Sequence, residues 1–478
     1  MKRKNRILAF LALAQLMVVL DATIVNIALP SAQADLGFGD DDRQWVITAY
    51  ALAFGSLLLL GGRLADYFGR KRTLIAGLIG FAGASALGGL APNFEVLVGA
   101  RALQGMFGAL LAPSALSTLT TTFTGKSERA RAFGVYGAIA GAGGAVGLLL
   151  GGFLTEYLDW RWTMFVNVAF AIPAAAGLAS LLVNESRETK PRMDFPGAIT
   201  ASIGLFAIVF GFSRAESEGW TAVITLLSLS VGTLLLVLFV MVERRSAAPL
   251  LPLRVLADRN RAGSYLAVGV AGASMFGVFL FLTYYLQQTQ GMSPVETGLA
   301  FLPMIAFLMV GSAVSSTRLM PKFGPRPLVP TGMVLAATGM VLLTGVGVDS
   351  SYAGSVLPGL CFVGIGFGLV IAPSMASATL GVAASDSGVA SAMVNTSQQV
   401  GGSIGTALLS TISASAVTSF VSGKVPGPEL AAQAAVHGYT TAFWVSAGLL
   451  VAGAVITAIT MESGAPRTEE GHGLAMAH

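Results

Sequence analysis

Apolar residues run through this chain in stretches long enough to cross a bilayer, following one another almost without pause. Fourteen stretches are predicted as membrane helices: 6–29, 43–62, 73–90, 95–120, 132–155, 161–183, 196–213, 220–242, 262–286, 297–317, 327–347, 354–376, 390–416 and 437–460. An even number of crossings puts both termini on one side. The connectors then set the orientation. Of 28 Lys and Arg residues, 23 fall on the side of the N-terminus; Arg43, Arg161, Arg214 and Lys424 fall on the other, and Arg101 lies within a span. Basic residues collect on the cytoplasmic side, so both termini are expected in the cytoplasm. Lys2-Arg3-Lys4 before an apolar run, with Ala32-Gln33-Ala34 beyond it, resembles a secretory signal. The run is too long for one and carries Asp21, so a retained first helix is expected.

Composition agrees with the pattern. The chain is 54% hydrophobic and 11% charged, where a soluble domain carries about 25% charged residues. Its 59 glycines suit helices that must approach closely, since lipid offers no hydrophobic drive for them to pack. The net charge of +4 follows from connector placement and does not call for a nucleic-acid partner. A single cysteine, Cys361, excludes an intrachain disulfide framework, and His437, His472 and His478 are scattered. Neither a metal site nor a histidine-based catalytic group is expected, and the chain does not read as an enzyme. It also lacks the Gly-x-x-x-x-Gly-Lys-Ser/Thr loop of ATP-driven proteins.

Three motifs repeat in order at nearly one offset. Arg63-Leu64 with Phe68-Gly69 returns as Arg318-Leu319 with Phe323-Gly324. Phe107-Gly108 with Ala112-Pro113-Ser114 returns as Phe367-Gly368 with Ala372-Pro373-Ser374. Gly143-Gly144 with Gly147 returns as Gly401-Gly402 with Gly405. Spans 1–6 thus match spans 9–14, a parallel repeat about an axis along the membrane normal. The expected organisation is a six-helix bundle over 1–190, an inserted helix pair with its linkers over 191–250, a second bundle over 251–462 and a cytoplasmic tail over 463–478.

Charge inside the spans is rare. Asp21 lies within the first, where a carboxylate costs about 2.5–3.5 kcal/mol on insertion scales and marks an ion or substrate path by default. Met17, Asp21, Val25 and Ala28 share a helix face, while Asn26 points about 140° away. Asp21 is therefore assigned to the cavity side and Asn26 to helix packing; a static hydrogen-bonded carboxylate is the alternative. Arg101 is the complementary charge and keeps its proton. Gly105, Gly108 and Ala112 follow it at helical spacing, as a smooth packing stripe. The connector 62–72 places Gly62, Asp66 and Gly69 among Arg70, Lys71 and Arg72; orientation explains the bases, not the glycines or the acid. Gly143, Gly147, Gly151 and Gly152 form a small-residue face for tight packing. Asn395, Gln398 and Gln399 could bond substrate or fasten helices. Together with Met17, Val25, Gln104, Phe276 and Phe279, Asn395 and Gln398 are the candidates to line a substrate path.

Through Leu20–Pro30, the loop Gly62–Arg72, Arg101-Ala-Leu-Gln104-Gly105, the glycine-rich fifth span and Trp160-Arg161-Trp162 with Phe165 and Asn167, the chain resembles the major facilitator superfamily. More narrowly, it resembles the fourteen-span drug:proton antiporters of the EmrB/QacA type. The resemblance covers nearly the whole chain and implies an all-α membrane fold of two six-helix bundles with an inserted pair. It also implies that Arg101 takes part in proton coupling near Asp21, and that Asp66 meets the cytoplasmic start of the thirteenth span as a latch. One departure stands out: Leu148 replaces the proline usual after the middle glycine of the fifth span. The second half has Cys361 where the first has Arg101, so the halves are not chemically equivalent. The expected activity is proton-coupled efflux of lipophilic drugs across the bacterial cytoplasmic membrane, with no cofactor beyond the proton motive force; lipid, protons and a small lipophilic substrate are the expected partners. A carrier of a small polar metabolite is the alternative, and should carry more paired polar residues in spans 9–14. A membrane enzyme or sensor would need a reactive constellation that the sequence does not offer.

Overall fold

The computed structural model describes residues 2–38, 40–183, 194–246, 249–383, 386–425 and 427–462. The predicted tail and most of the linker after the sixth span lie outside them. No strand occurs among the described residues. A backbone in lipid must satisfy its polar groups within its own segment, and an unbroken helix does this for an apolar run. The first half comprises α1 (Lys2–Leu36), α2 (Asp40–Phe68), α3 (Arg70–Gly89), α4 (Phe94–Thr122), α5 (Lys126–Tyr157) and α6 (Trp162–Leu181). An inserted pair follows, α7 (Phe195–Glu218) and α8 (Val223–Arg245). The second half contains the short α9 (Leu253–Ala257), then α10 (Arg259–Tyr284), α11 (Pro294–Val314), the short α12 (Met320–Phe323), α13 (Pro325–Leu343), α14 (Leu357–Ala378), α15 (Ser387–Val421) and α16 (Pro428–Thr460).

Among the described residues, thirteen helices are long and apolar enough to cross a membrane. The predicted span 132–155 lies in α5, a continuous 32-residue helix outside that set. Several helices outrun their apolar stretches. Hydropathy falls where a helix leaves the lipid, but helical hydrogen bonding continues until a cap or a glycine ends it. Asn93 caps α4 by accepting the Val96 N–H, and Ser293 with Glu296 forms a reciprocal capping box on α11. Gly69 separates α2 from α3 at φ 93°, and its repeat partner Gly324 separates α12 from α13 at φ 77°. Nothing crowds Gly69; it is the left-handed backbone that demands glycine there.

The repeat read from the motifs is present in the helix neighbours. In the first half α1 packs on α5 and α6, α2 on α4, and α3 on α4 and α6. In the second, α10 packs on α15 and α16, α11 on α14, and α13 on α14 and α16. The halves meet along two seams related in the same way, α2 on α15 and α5 on α11. The inserted α7 packs beside the first seam, touching both α2 and α15.

The glycine face of α5 is turned to α1. A side chain at Gly143 would meet Val19, one at Gly147 would collide with Thr23 Oγ1 and approach the Leu20 carbonyl at 3.1 Å, and one at Gly151 would reach Ile24. Gly152 points away, toward Val295 of α11. The helix runs unbroken through position 148. Because α1 side chains and the Leu20 and Ile24 carbonyls already fill this face, a branched side chain has nowhere to go. Gly147→Leu is therefore expected to destabilise the fold by about 1–3 kcal/mol, the usual cost of overpacking. Gly83→Ala, where no atom lies within 4 Å of the added carbon, should leave the melting temperature of the detergent-solubilised protein within error. Equal melting temperatures for the two variants would show that the α1–α5 contact is not tight.

Candidate functional site

Asp21 is completely buried, and its surroundings explain how a carboxylate is tolerated there. Arg101 Nη1 on α4 donates to Asp21 Oδ2 at 2.7 Å, forming a buried ion pair. Gln104 Nε2, one turn further along α4, donates to Asp21 Oδ1 at 2.9 Å, and Asn167 Nδ2 on α6 donates to the same oxygen at 2.6 Å. Both amides also donate to Ser85 Oγ on α3. Arg101 has further partners: Nη1 donates to Gln104 Oε1 at 2.8 Å, Nε donates to the Val46 carbonyl of α2 at 3.2 Å, and the guanidinium lies 4.5 Å from the Tyr50 ring centroid. Five helices thus join the network around one carboxylate, α4 and α6 by bonding to it directly. Burying either charge alone would cost several kcal/mol, and the cluster holds because Arg101, Gln104 and Asn167 all donate to the carboxylate.

This arrangement fixes what the first helix meets. Asp21 bonds to groups on α4 and α6, within the first bundle. Met17, Val25 and Gln104, expected to line a substrate path, are all buried in that bundle. The physical reason is the same for each. The donors able to offset the carboxylate stand on α4 and α6, so the face carrying Met17, Asp21 and Val25 turns toward them. The side chain of Asn26 lies outside the described residues.

The remaining candidates scatter. Phe279 lies on the α5–α11 seam, against Gly144 and 5.1 Å from the Phe301 ring. Phe276 is about half exposed and packs over Gly402. Asn395 donates to the Ser391 carbonyl of its own helix, Gln398 packs on Gly272 of α10, and Gln399 reaches Gly55 of α2 across the other seam. Ser85 and Tyr50 were not singled out from the sequence, and Asn167 entered only through the family resemblance, with no role at the site. A lone amide in the apolar span 161–183 was a usable signal for Asn167; Ser85 and Tyr50 carried none.

A second cluster ties the halves together at the ends of α2 and α15. Asp66 is buried, and Oδ1 accepts the Gly388 N–H at 3.3 Å, in the first turn of α15. A carboxylate at a helix N-terminus is favoured by the unpaired amides there. Arg70, also buried, donates from Nε to Ser117 Oγ and from Nη2 to Ser387 Oγ, each at 2.8 Å. Gly62 lets α2 come this close, since a side chain there would stand 2.6 Å from the Gly388 carbonyl. Arg72 is exposed. Across the second seam, Arg129 of α5 donates to the Ala376 carbonyl of α14 at 3.1 Å and to Oγ1 of Thr379, the cap that follows α14, at 2.9 Å. At the opposite end of the first bundle, Arg161 and Trp160 donate to Asp35 and hold its carboxyl below the usual value.

The family profile described as Major Facilitator Superfamily matches residues 11–406. A puromycin resistance protein of Streptomyces alboniger is 49% identical over 95% of this chain and 90% of its own length. A cephamycin export protein of Amycolatopsis lactamdurans is 40% identical, covering 84% of this chain and 83% of that protein. A tetracenomycin C resistance and export protein of Streptomyces glaucescens is 37% identical, covering 85% and 75%. Among solved structures, the human organic anion transporter MFSD10 superposes with a TM-score of 0.63 over 95% of this chain and 99% of that one. At 16% identity, that likeness concerns the fold alone.

The ion pair makes a stability prediction. Removing one partner leaves the other charge buried and uncompensated, so Arg101→Ala is expected to cost about 3–5 kcal/mol. Adding Asp21→Asn to Arg101→Ala should recover a large part of that loss. A double-mutant cycle on unfolding of the solubilised protein measures both, and strict additivity would mean that the two groups do not depend on each other.

Proposed function

The chain belongs to the Major Facilitator Superfamily, and from that premise we propose that it exports small lipophilic antibiotics across the bacterial cytoplasmic membrane in exchange for protons. The single observation carrying this reading is the buried Asp21–Arg101 pair in a chain whose relatives are named for antibiotic resistance and export. Asp21 is the proton site. Ionised, it accepts from Arg101, Gln104 and Asn167 and ties α1 to α4 and α6. Protonated, it loses its charge-assisted bonds, while Arg101 stays attached to α2 through the Val46 carbonyl and the Tyr50 ring. Each protonation cycle thus loosens α1 within its bundle. Binding takes place between the halves near the midplane, and access alternates as they rock. A potential of 100 mV adds about 2.3 kcal/mol for each charge moved.

The proposed partition is two six-helix bundles, 1–190 and 251–462, with the inserted pair over 191–250. Counting α5 gives fourteen crossings and cytoplasmic termini. Gly62, Asp66, Gly69, Arg70 and Arg72 then form a latch that holds the cytoplasmic side closed, with Asp66 seated on the start of α15. Gly143, Gly147 and Gly151 let α1 and α5 pack closely.

Two outcomes are expected. Expressed in a host lacking its own pumps, the chain should raise tolerance to at least one of puromycin, a cephamycin and tetracenomycin C. Asp21→Asn should abolish that tolerance while reaching the membrane in equal amount; full tolerance in this variant would remove Asp21 from coupling. The latch is tested by thiol labelling. With Cys361→Ser as background, Ser391→Cys should react with a maleimide several-fold faster once Asp66→Ala is added. An unchanged rate would mean that Asp66 does not hold α2 on α15.

A further inference from the structure

A second group of buried acids lies away from Asp21, at the end of the inserted pair where α8 closes with Arg244 and Arg245. Glu243 of α8 is 4% exposed and Asp194, at the start of α7, is 7% exposed. Glu243 accepts two backbone N–H groups, Leu250 at Oε1 and Leu251 at Oε2, each at 3.0 Å. Asp194 Oδ1 caps α7 by accepting the Gly197 N–H at 2.8 Å, while its Oδ2 has no partner among the described residues. The two carboxylates converge on one point: a side-chain carbon on Gly197 would stand 2.6 Å from Glu243 Oε1 and 3.0 Å from Asp194 Oδ2. Arg63 of α2, 6% exposed, lies within electrostatic reach of Glu243, and its Nε has no partner among the described residues. Arg244 and Arg245, on the same helix as Glu243, are exposed, and the 249–251 segment carries no charge.

We propose that Asp194 and Glu243 form a second proton-binding site, a carboxyl pair that holds one proton between them against the single charge of Arg63. Two carboxylates facing one point cannot both ionise without strong repulsion. One proton on the pair leaves a single negative charge, and Arg63 balances it, so the buried cluster is neutral among the described residues. The proton belongs to the pair and not to either residue. Its release leaves an uncompensated buried charge, which is relieved only by admitting water. Glu243 fixes the Leu250–Leu251 segment that leads into the second half, and Arg63 belongs to the α2 turn that carries Asp66. Cytoplasmic pH therefore acts on the docking of the inserted pair against α2, independently of Asp21.

The test is infrared difference spectroscopy of the purified full-length protein in lipid nanodiscs across a pH titration, reading the carbonyl stretch of protonated carboxyl groups. We expect a band that survives Asp21→Asn and disappears in both Asp194→Asn and Glu243→Gln. In Arg63→Gln the same band should persist to higher pH, because the lost cation had favoured the ionised form. If neither neutral variant removes a band, the two acids are fully ionised caps of α7 and of the 249–251 turn, and the proposal is overturned. Should those variants fail to fold, Arg63→Gln decides alone, and an unshifted set of bands overturns it. None of these readouts requires transport, so loss of the efflux reading and loss of this site are distinguishable.

Discussion

A charge kept in a bilayer must be answered by groups that cannot leave, and that constraint organises the first half of this protein. Asp21 needs donors, and α4 and α6 supply them through Arg101, Gln104 and Asn167. Ser85 and the Val46 carbonyl extend the network to α3 and α2. The interior is thus held in register by polar geometry as well as by packing.

The two halves share geometry without sharing chemistry. Helix neighbours correspond throughout, and the glycine turns before the third helix of each half correspond as well. Yet Cys361, half buried on α14, stands where the first half has Arg101, and Pro321 stands where it has Asp66. Three π-helical turns, at Tyr285–Thr289, Ser315–Leu319 and Tyr352–Val356, occur only in the second half among the described residues. Packing rules are met by small residues at matching positions and survive divergence in both copies. The ionisable groups are free to remain in one.

The inserted pair is attached to both halves. Trp220 donates to Thr411 Oγ1 of α15 at 2.8 Å, and Arg214 lies 5.4 Å from the Trp45 ring of α2. At its other end, the buried acids Asp194 and Glu243 lie near Arg63. Relative movement of the halves along the α2–α15 seam must therefore stretch or slide these contacts. The α5–α11 seam has no such bridge among the described residues.

The fold class, the positions of most helices and the internal repeat could be read from the sequence, because lipid imposes run length and the motifs recur at nearly one offset. That Asp21 and Arg101 would be buried and need partners was also legible, since charge in an apolar run is costly wherever it points. Their direction was not. Helical periodicity says which residues share a face, but not which neighbour that face meets, and so Met17, Val25 and Gln104 were placed on a cavity wall when they lie in the bundle core. Ser85, Tyr50 and the pairing of Asp194 with Glu243 were equally hidden, being ordinary residues or separated by many positions along the chain. Sequence alone determined that the charges must be buried and partnered, because that follows from the solvent; the tertiary structure decided which groups partner them, because only helix packing brings distant donors within reach.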